Sequence, residues 1–137
     1  MIFSVTLYLD TSALVKLFMR ENRDEQVETA ARNATRVALP IVAYPEARSA
    51  FARKLREGVL SRADYDRIVR SLDEAWIRFD RVRVTDEVAH TAGEIAERLA
   101  LRGFDAIHLA SAMTLHEQIE DDVYFLAFDE RLMNAAR

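Results

Sequence analysis

Four acidic residues stand where apolar strand-like runs give way to helix-like ones. Asp10 closes "TLYL" and precedes "TSALVKLF"; Glu46 follows Pro45 in "YPEARSAF"; Asp105 follows Gly103 in "RGFDAIHL"; Asp129 closes "YFLAF". Each position has a plain structural use. Asp is a preferred N-cap, and an acid in a first helical turn is favoured by the helix dipole. Gathered in one cleft, the same groups would repel by roughly 3 kcal/mol per pair at ~5 Å and an effective dielectric of ~20. Capping returns only about 0.5–2 kcal/mol per acid. Convergence would therefore point to a cation, and an all-oxygen donor set suits Mg²⁺ or Mn²⁺ rather than zinc. An ion held by few carboxylates keeps waters and open positions, the arrangement that serves attack of water on a phosphodiester. Spacing alone leaves two readings open, separate caps or a shared metal site.

Competing chemistries find little support. There is no cysteine, which excludes thiolate metal sites and disulfide scaffolds and suits a reducing compartment. His108 follows Asp105 by three residues on one helical face, a pattern that fits a packed or hydrogen-bonding imidazole better than a ligand. His90 and His116 have no partnering pattern, and no Ser/His/Asp set, phosphate-cradling glycine loop or zinc-protease motif occurs. A phosphatase with a nucleophilic Asp would need a second Asp where Ser12 stands, and a receiver-like Mg²⁺ pocket would need a lysine where Arg131 is the nearest base.

The elements that must position the acids follow from periodicity. A strand is expected over Phe3–Leu9, a helix over about Ser12–Arg20 and another over Asp24–Ala34, then a strand in "RVALPIV" that ends at Pro40 or soon after. Pro45 suits the first turn of a helix whose apolar face is Ala47, Ala50, Phe51 and Leu55, and Gly58 suits its left-handed end. Ser61 caps the next helix, with Leu60 stapled to Tyr65 and a face of Tyr65, Ile68, Val69, Leu72 and Trp76, so the two should form an antiparallel hairpin. "FDRVRV" reads as an edge strand, Thr85 as the cap of a helix broken by Gly103, "FDAIHLASAMTL" as a deeply packed helix, "DVYFLAF" as a last strand and "DERLMNAA" as a short closing helix. Strands alternating with helices predict a parallel sheet covered on both faces, in which ligands bind beyond the carboxyl ends of the strands. Asp10, Glu46 and Asp129 fall on that edge, and Asp105 can join them from a helix start.

With 137 residues, the chain fits a single domain over 1–137, and 50% apolar with 31% charged residues is ordinary globular composition. The run ended by Asp10 is too short for a signal peptide or a membrane span, so a cytoplasmic protein is expected. The net charge of −4 is uneven: residues 48–83 hold ten bases against six acids, and nearly every base in the chain is Arg, which contacts phosphate in bidentate fashion better than Lys. Leu14, Leu17, Phe18, Val59 and Leu60 form more apolar surface than one sheet face should cover, which predicts a two-fold dimer, a heteromer, or both.

Four segments in order, "YLDTSALVKLF", "YPEARSAFARKLREGVLS", "LRGFDAIHLASA" and "FLAFDERLMNAA", together resemble the PIN-domain ribonucleases, specifically VapC-type toxins of toxin–antitoxin pairs, over about residues 7–136. The resemblance implies a three-layer α/β/α domain with a central, mainly parallel sheet and a helical hairpin. It also implies Mg²⁺- or Mn²⁺-dependent endonucleolytic cleavage of RNA, homodimerisation, and inhibition by a cognate VapB-type antitoxin. By the same resemblance Asp10, Glu46, Asp105 and Asp129 match the family's acidic metal-site positions, and Ser12 its hydroxyl beside the first acid. The family pattern often has Thr or Ser two residues before the last acid; here Ala127 removes a hydrogen bond that could orient Asp129. Arg48, Arg53 and Arg56 on the hairpin are candidates for RNA phosphate contact. The alternative function is a PIN-like domain that binds RNA or protein without cleaving, and the intact acids disfavour it.

Overall fold

A computed structural model describes residues 5–19, 25–119, 122–127 and 130–137. Its elements run β1 (Val5–Leu9), α1 (Thr11–Phe18), α2 (Glu25–Asn33), β2 (Arg36–Pro40), α3 (Ala43–Arg56), α4 (Arg62–Trp76), β3 (Asp80–Val82), α5 (Asp86–Leu99), α6 (Gly103–Gln118), β4 (Asp122–Leu126) and α7 (Glu130–Ala136). The four strands pair in the order β3-β2-β1-β4, every pair parallel, with Leu7 opposite Val37 on one side and Tyr124 on the other. From β1 the chain builds outward through β2 to β3 and then crosses back to lay β4 on the other side, so the strand order reverses beside the carboxyl end of β1. Such a switch point opens a crevice.

Alternation along the strands divides the core between two layers. Leu7, Leu9 and Leu39 face α1, α3 and α4, joining Leu14, Ala47, Phe51, Ile68 and Leu72. Tyr8 and Ala38 face the other way, against Ala112 of α6, with Tyr8 stacked on Phe125 at 5.3 Å. Outside that, α5 and α6 share a cluster of Val88, Ala92, Ile95, Ala106 and Leu109. The architecture is the three-layer α/β/α arrangement, with α3 and α4 forming the hairpin. Among the described residues no helix is long and apolar enough to cross a membrane.

Several local signals act as their chemistry dictates. Ser61 Oγ accepts from the Asp64 N–H at 3.1 Å and Thr85 Oγ1 from the Val88 N–H at 3.2 Å, each a side-chain cap. Gly58, at φ +76°, takes the left-handed conformation just after α3.

Two expectations fail. Gly103 does not break α5: that helix ends at Leu99 and Ala100 takes the left-handed turn at φ 53°, while Gly103 is the first residue of α6. The Leu101 N–H closes back on the Ala96 carbonyl at 3.2 Å, and burial of Leu101 holds the turn in place of a glycine. Leu14 and Leu60 are not exposed either, since both lie in the core with α3 and α4; of that group Leu17 and Phe18 are half-buried and Val59 is exposed.

Ala100 carries the steric cost of a Cβ in a left-handed turn, about 1–2 kcal/mol, at an exposed position. Ala100→Gly is therefore expected to stabilise the protein by about 0.5–1 kcal/mol after glycine's extra chain entropy is deducted. A rise of roughly 2–4 °C in melting temperature checks it; an unchanged or lower value would mean the turn is not strained.

Candidate functional site

Asp10 ends β1 and starts α1. Its extended backbone places Oδ1 to accept the Ala13 N–H at 2.9 Å, so it is a helix cap, and the same oxygen accepts from the Ser12 hydroxyl at 2.7 Å. Both donors fall on Oδ1. The residue is 4% exposed, an unusual burial for a cap, and it lines a cavity of about 370 Å³ with Thr11, Ser12, Glu46, Arg102, Asp105 and His108. Capping and membership of an acidic cleft are thus not alternatives in this fold, because one oxygen does the first and the carboxylate still lines the second.

Glu46 reaches the cavity from the first turn of α3, which the chain enters directly from β2. Its Oε1 accepts from Thr11 Oγ1 at 2.7 Å and lies 3.0 Å from His108 Nε2, while Thr11 Oγ1 and His108 Nε2 are themselves 3.1 Å apart. Asp105, in the first turn of α6, comes in from the opposite layer, where the exposed Arg102 places Nε 3.0 Å from its Oδ2. His108 lies one turn further along α6, buried at 2% exposure.

The environments push the two deeper acids apart. Burial raises the pKa of Asp10; the Ala13 N–H, the Ser12 hydroxyl and His108 oppose this, but the charge of Asp105 adds to the rise. Burial also acts upward on Glu46, yet the hydrogen bonds from His108 and Thr11 outweigh it and its pKa is lowered. Below the cavity floor the Tyr8 hydroxyl is held well above its ordinary pKa, first by burial. It lies near Ser111 without reaching hydrogen-bond geometry, and both oxygens are buried without a partner among the described residues.

Of the acids singled out in the sequence, Asp10, Glu46 and Asp105 line this one cavity. Asp129 lies outside the described residues. Ser12 stands beside Asp10 as a hydroxyl donor. Sequence reasoning misses Thr11 and Arg102, whereas His108, read there as a packed or hydrogen-bonding imidazole, is buried and bonds Glu46. A sequence signal for Thr11 exists in its position directly after Asp10, where the strand-to-helix turn must aim it along the same edge. Among the described residues no three acid or imidazole groups form a preformed metal cage. An ion here would have few direct ligands and several waters, a condition that a small hard dication meets and a closed structural site does not. The all-oxygen donor set and the buried, charge-strained Asp10 fit such an ion.

Away from the cavity, Arg48, Arg56, Arg62 and Arg70 line a groove of about 580 Å³ between α3 and α4. Arg62 is offset by Asp66 at 3.3 Å. Arg53 lies outside the groove and pairs with Glu57 at 2.8 Å.

Comparison with known proteins gives one consistent picture. The family model described as PIN domain matches residues 7–137. Ribonuclease VapC49 of Mycobacterium tuberculosis strain H37Rv is 33% identical over 109 residues, spanning 80% of this chain and 76% of that protein. Ribonuclease VapC46 of the same strain is 31% identical over 132 residues, spanning 96% and 90%. Among solved structures, the VapBC2 complex of Rickettsia felis bound to a DNA fragment from its promoter contains a chain matching at a TM-score of 0.59 and 13% identity, over 89% of this chain and 99% of that one. At that identity the likeness concerns the fold.

Proposed function

This chain belongs to the PIN-domain family, and from that premise we propose that it is a VapC-type endoribonuclease toxin, dependent on Mg²⁺ or Mn²⁺ and neutralised by a cognate VapB-type antitoxin. The observation that carries the reading is the placement of Asp10, Glu46 and Asp105, from three separate elements, around one cavity at the switch point of the sheet. Three unrelated acids would have no reason to converge there. Relatives named as ribonucleases, at over 30% identity across most of the chain, supply the substrate class.

Asp10 and Asp105 are assigned as the direct metal ligands, with Glu46 and Asp129 completing the site directly or through water. When bound, the ion supplies a Lewis acid that lowers the pKa of water and stabilises charge on a phosphodiester oxygen. The chain's own groups do the remaining work. Ser12 and the Ala13 N–H hold Asp10 Oδ1, which leaves Oδ2 as the oxygen that would hold a cation. Glu46, with its lowered pKa, stays ionised and can orient the attacking water. Arg102 offsets the charge of Asp105 at the mouth of the cavity, within reach of an incoming phosphate. Homodimerisation and a cytoplasmic setting belong to the same proposal.

The RNA flanking the cut is assigned to the hairpin. Arg48 and Arg56 are the phosphate contacts there, and the groove adds Arg70; Arg53, engaged with Glu57, contributes from the exposed back of α3. Replacing Arg56 and Arg70 together by Ala is expected to raise KM for RNA about tenfold with kcat kept. It should also reduce the slope of log binding against log salt by about 1.4, at ~0.7 per lost single-strand phosphate contact. Equal slopes for variant and wild type would remove the groove from the RNA path. The function itself is tested by incubating an RNA panel with the protein, its Asp105→Asn variant and chelator, then adding the product of the adjacent gene if that is a small DNA-binding protein. Cleavage only by the wild type with metal, silenced by that partner, is the expected result. RNA binding with no cutting under any metal would favour the non-cleaving PIN-like alternative.

A further inference from the structure

Three elements converge on a single oxygen. Thr11 opens α1, Glu46 lies in the first turn of α3 and His108 in α6, and both Thr11 Oγ1 (2.7 Å) and His108 Nε2 (3.0 Å) address Glu46 Oε1. The tautomer follows from the partner. His108 is 2% exposed, its Nδ1 has no hydrogen-bond partner among the described residues in either tautomer, and its Nε2 lies 3.0 Å from a carboxylate oxygen that only accepts. The proton therefore sits on Nε2, which donates toward Glu46 Oε1 and shares it with Thr11 Oγ1 at 3.1 Å. Oε1 is thereby saturated by two donors, and neither of them reaches Oε2.

We propose that His108 and Thr11 are positioning residues that make Glu46 a one-oxygen donor, and that this clamp selects a small, strongly hydrated dication over Ca²⁺. The inference rests on reading the cavity as a metal site and goes further by assigning its selectivity. Ca²⁺ takes six to eight oxygens and readily uses both oxygens of a carboxylate, whereas Mg²⁺ holds a tight octahedron and retains waters. A glutamate pinned through Oε1 cannot rotate to chelate with both oxygens. Asp10, whose Oδ1 is likewise committed to Ala13 and Ser12, is pinned in the same way. Two of the three described acids that line the cavity are thus restricted to one oxygen each, so the site offers Ca²⁺ fewer of the bidentate carboxylate contacts it uses to reach its higher coordination number.

Calorimetric titration of Mg²⁺, Mn²⁺ and Ca²⁺ into the metal-free chain of 137 residues tests this without reference to activity. Wild type is expected to bind Mn²⁺ and Mg²⁺ in preference to Ca²⁺. His108→Leu is expected to lose about tenfold in Mg²⁺ affinity, at the lower end of what removing a ligand's supporting hydrogen bond costs, while Ca²⁺ affinity holds or rises. Thr11→Val removes the other donor without opening the core and should shift the ratio in the same direction. His108→Gln, whose amide can still donate to Oε1, should restore the wild-type ratio. Equal weakening for all three ions in His108→Leu, or a ratio that Gln does not restore, would overturn the clamp and leave the metal site standing. Absence of binding by wild type for every ion would overturn the metal reading and the clamp together.

Discussion

Asp10→Asn is expected to abolish RNA cleavage, by roughly 10²–10³-fold or more, the scale on which loss of a key electrostatic group at a reacting centre is felt, while the protein stays folded. The structure explains why the two effects separate. Asp10 caps α1 through Oδ1, and Asn is about as good a cap as Asp, so the bond from the Ala13 N–H survives. What is lost is the charge, and in the metal-free protein that charge is a liability: Asp10 is buried and faces Asp105, so its pKa is raised. A group whose folded pKa lies above its unfolded value makes the native state bind the extra proton. Stability therefore falls as pH rises from the ordinary Asp value near 3.9 through the raised folded value, and above that window the full cost of ionisation persists. In chelator at neutral pH the variant should melt no lower than wild type, and its advantage should shrink as pH drops through that window. Glu46 works with the opposite sign. Its lowered pKa contributes stability above the ordinary Glu value near 4.3, lost as pH falls through the folded pKa, and this contribution is common to both proteins. A variant that melts well below wild type in chelator, and still cuts RNA, would reduce Asp10 to a helix cap.

Metal should reverse that order of stabilities. A ligand bound only by the native state adds RT ln(1 + [L]/Kd), about 2.7 kcal/mol at a hundred times Kd. At roughly 3 °C per kcal/mol for a chain of this size, wild type should gain about 8 °C with saturating Mg²⁺ or Mn²⁺. Asp10→Asn and Asp105→Asn should gain little. Chelation should at the same time bring wild-type cleavage to background, and restoring Mg²⁺ should recover it in full. Equal thermal shifts in all three proteins would place the ion somewhere other than this cavity.

Much of this geometry is legible in the sequence because it depends on local rules. Strand ends and helix starts are encoded in short patterns, and a parallel α/β sheet brings its strand ends to one edge whatever fills the loops, which is why the sequence places Asp10 and Glu46 on one edge and lets Asp105 join them, while their meeting in one cavity is decided by packing. Thr85 and Ser61 announce their helices through capping chemistry alone. What escapes is decided by packing. Ala100 takes a left-handed turn that glycine would be expected to take, since burial of Leu101 outweighs the local cost. Leu14 on α1 and Leu60 in the turn before α4 look surplus in the sequence but are covered once α1, α3 and α4 pack against one another. The bond from His108 to Glu46 spans 62 positions in sequence, and no periodicity relates the two. Thr11 is easily passed over for Ser12, although each hydroxyl serves a different acid: Ser12 holds Asp10 and Thr11 holds Glu46.

The central claim is that this carboxylate cavity directs water at an RNA phosphodiester, and the ends of the cut RNA report on it most directly. Water as nucleophile breaks the bond from phosphorus to the 3′ oxygen and leaves a 3′-hydroxyl and a 5′-phosphate. Attack by the RNA's own 2′-hydroxyl, which needs no metal, leaves a 2′,3′-cyclic phosphate and a 5′-hydroxyl. Mass spectrometry of the fragments from an end-labelled RNA, with wild type and Asp105→Asn, in Mg²⁺ and in chelator, separates the two. The account predicts 5′-phosphate and 3′-hydroxyl ends from wild type in Mg²⁺ and intact RNA in the other three reactions; cyclic phosphate ends, or fragments that persist in chelator or with Asp105→Asn, would contradict it.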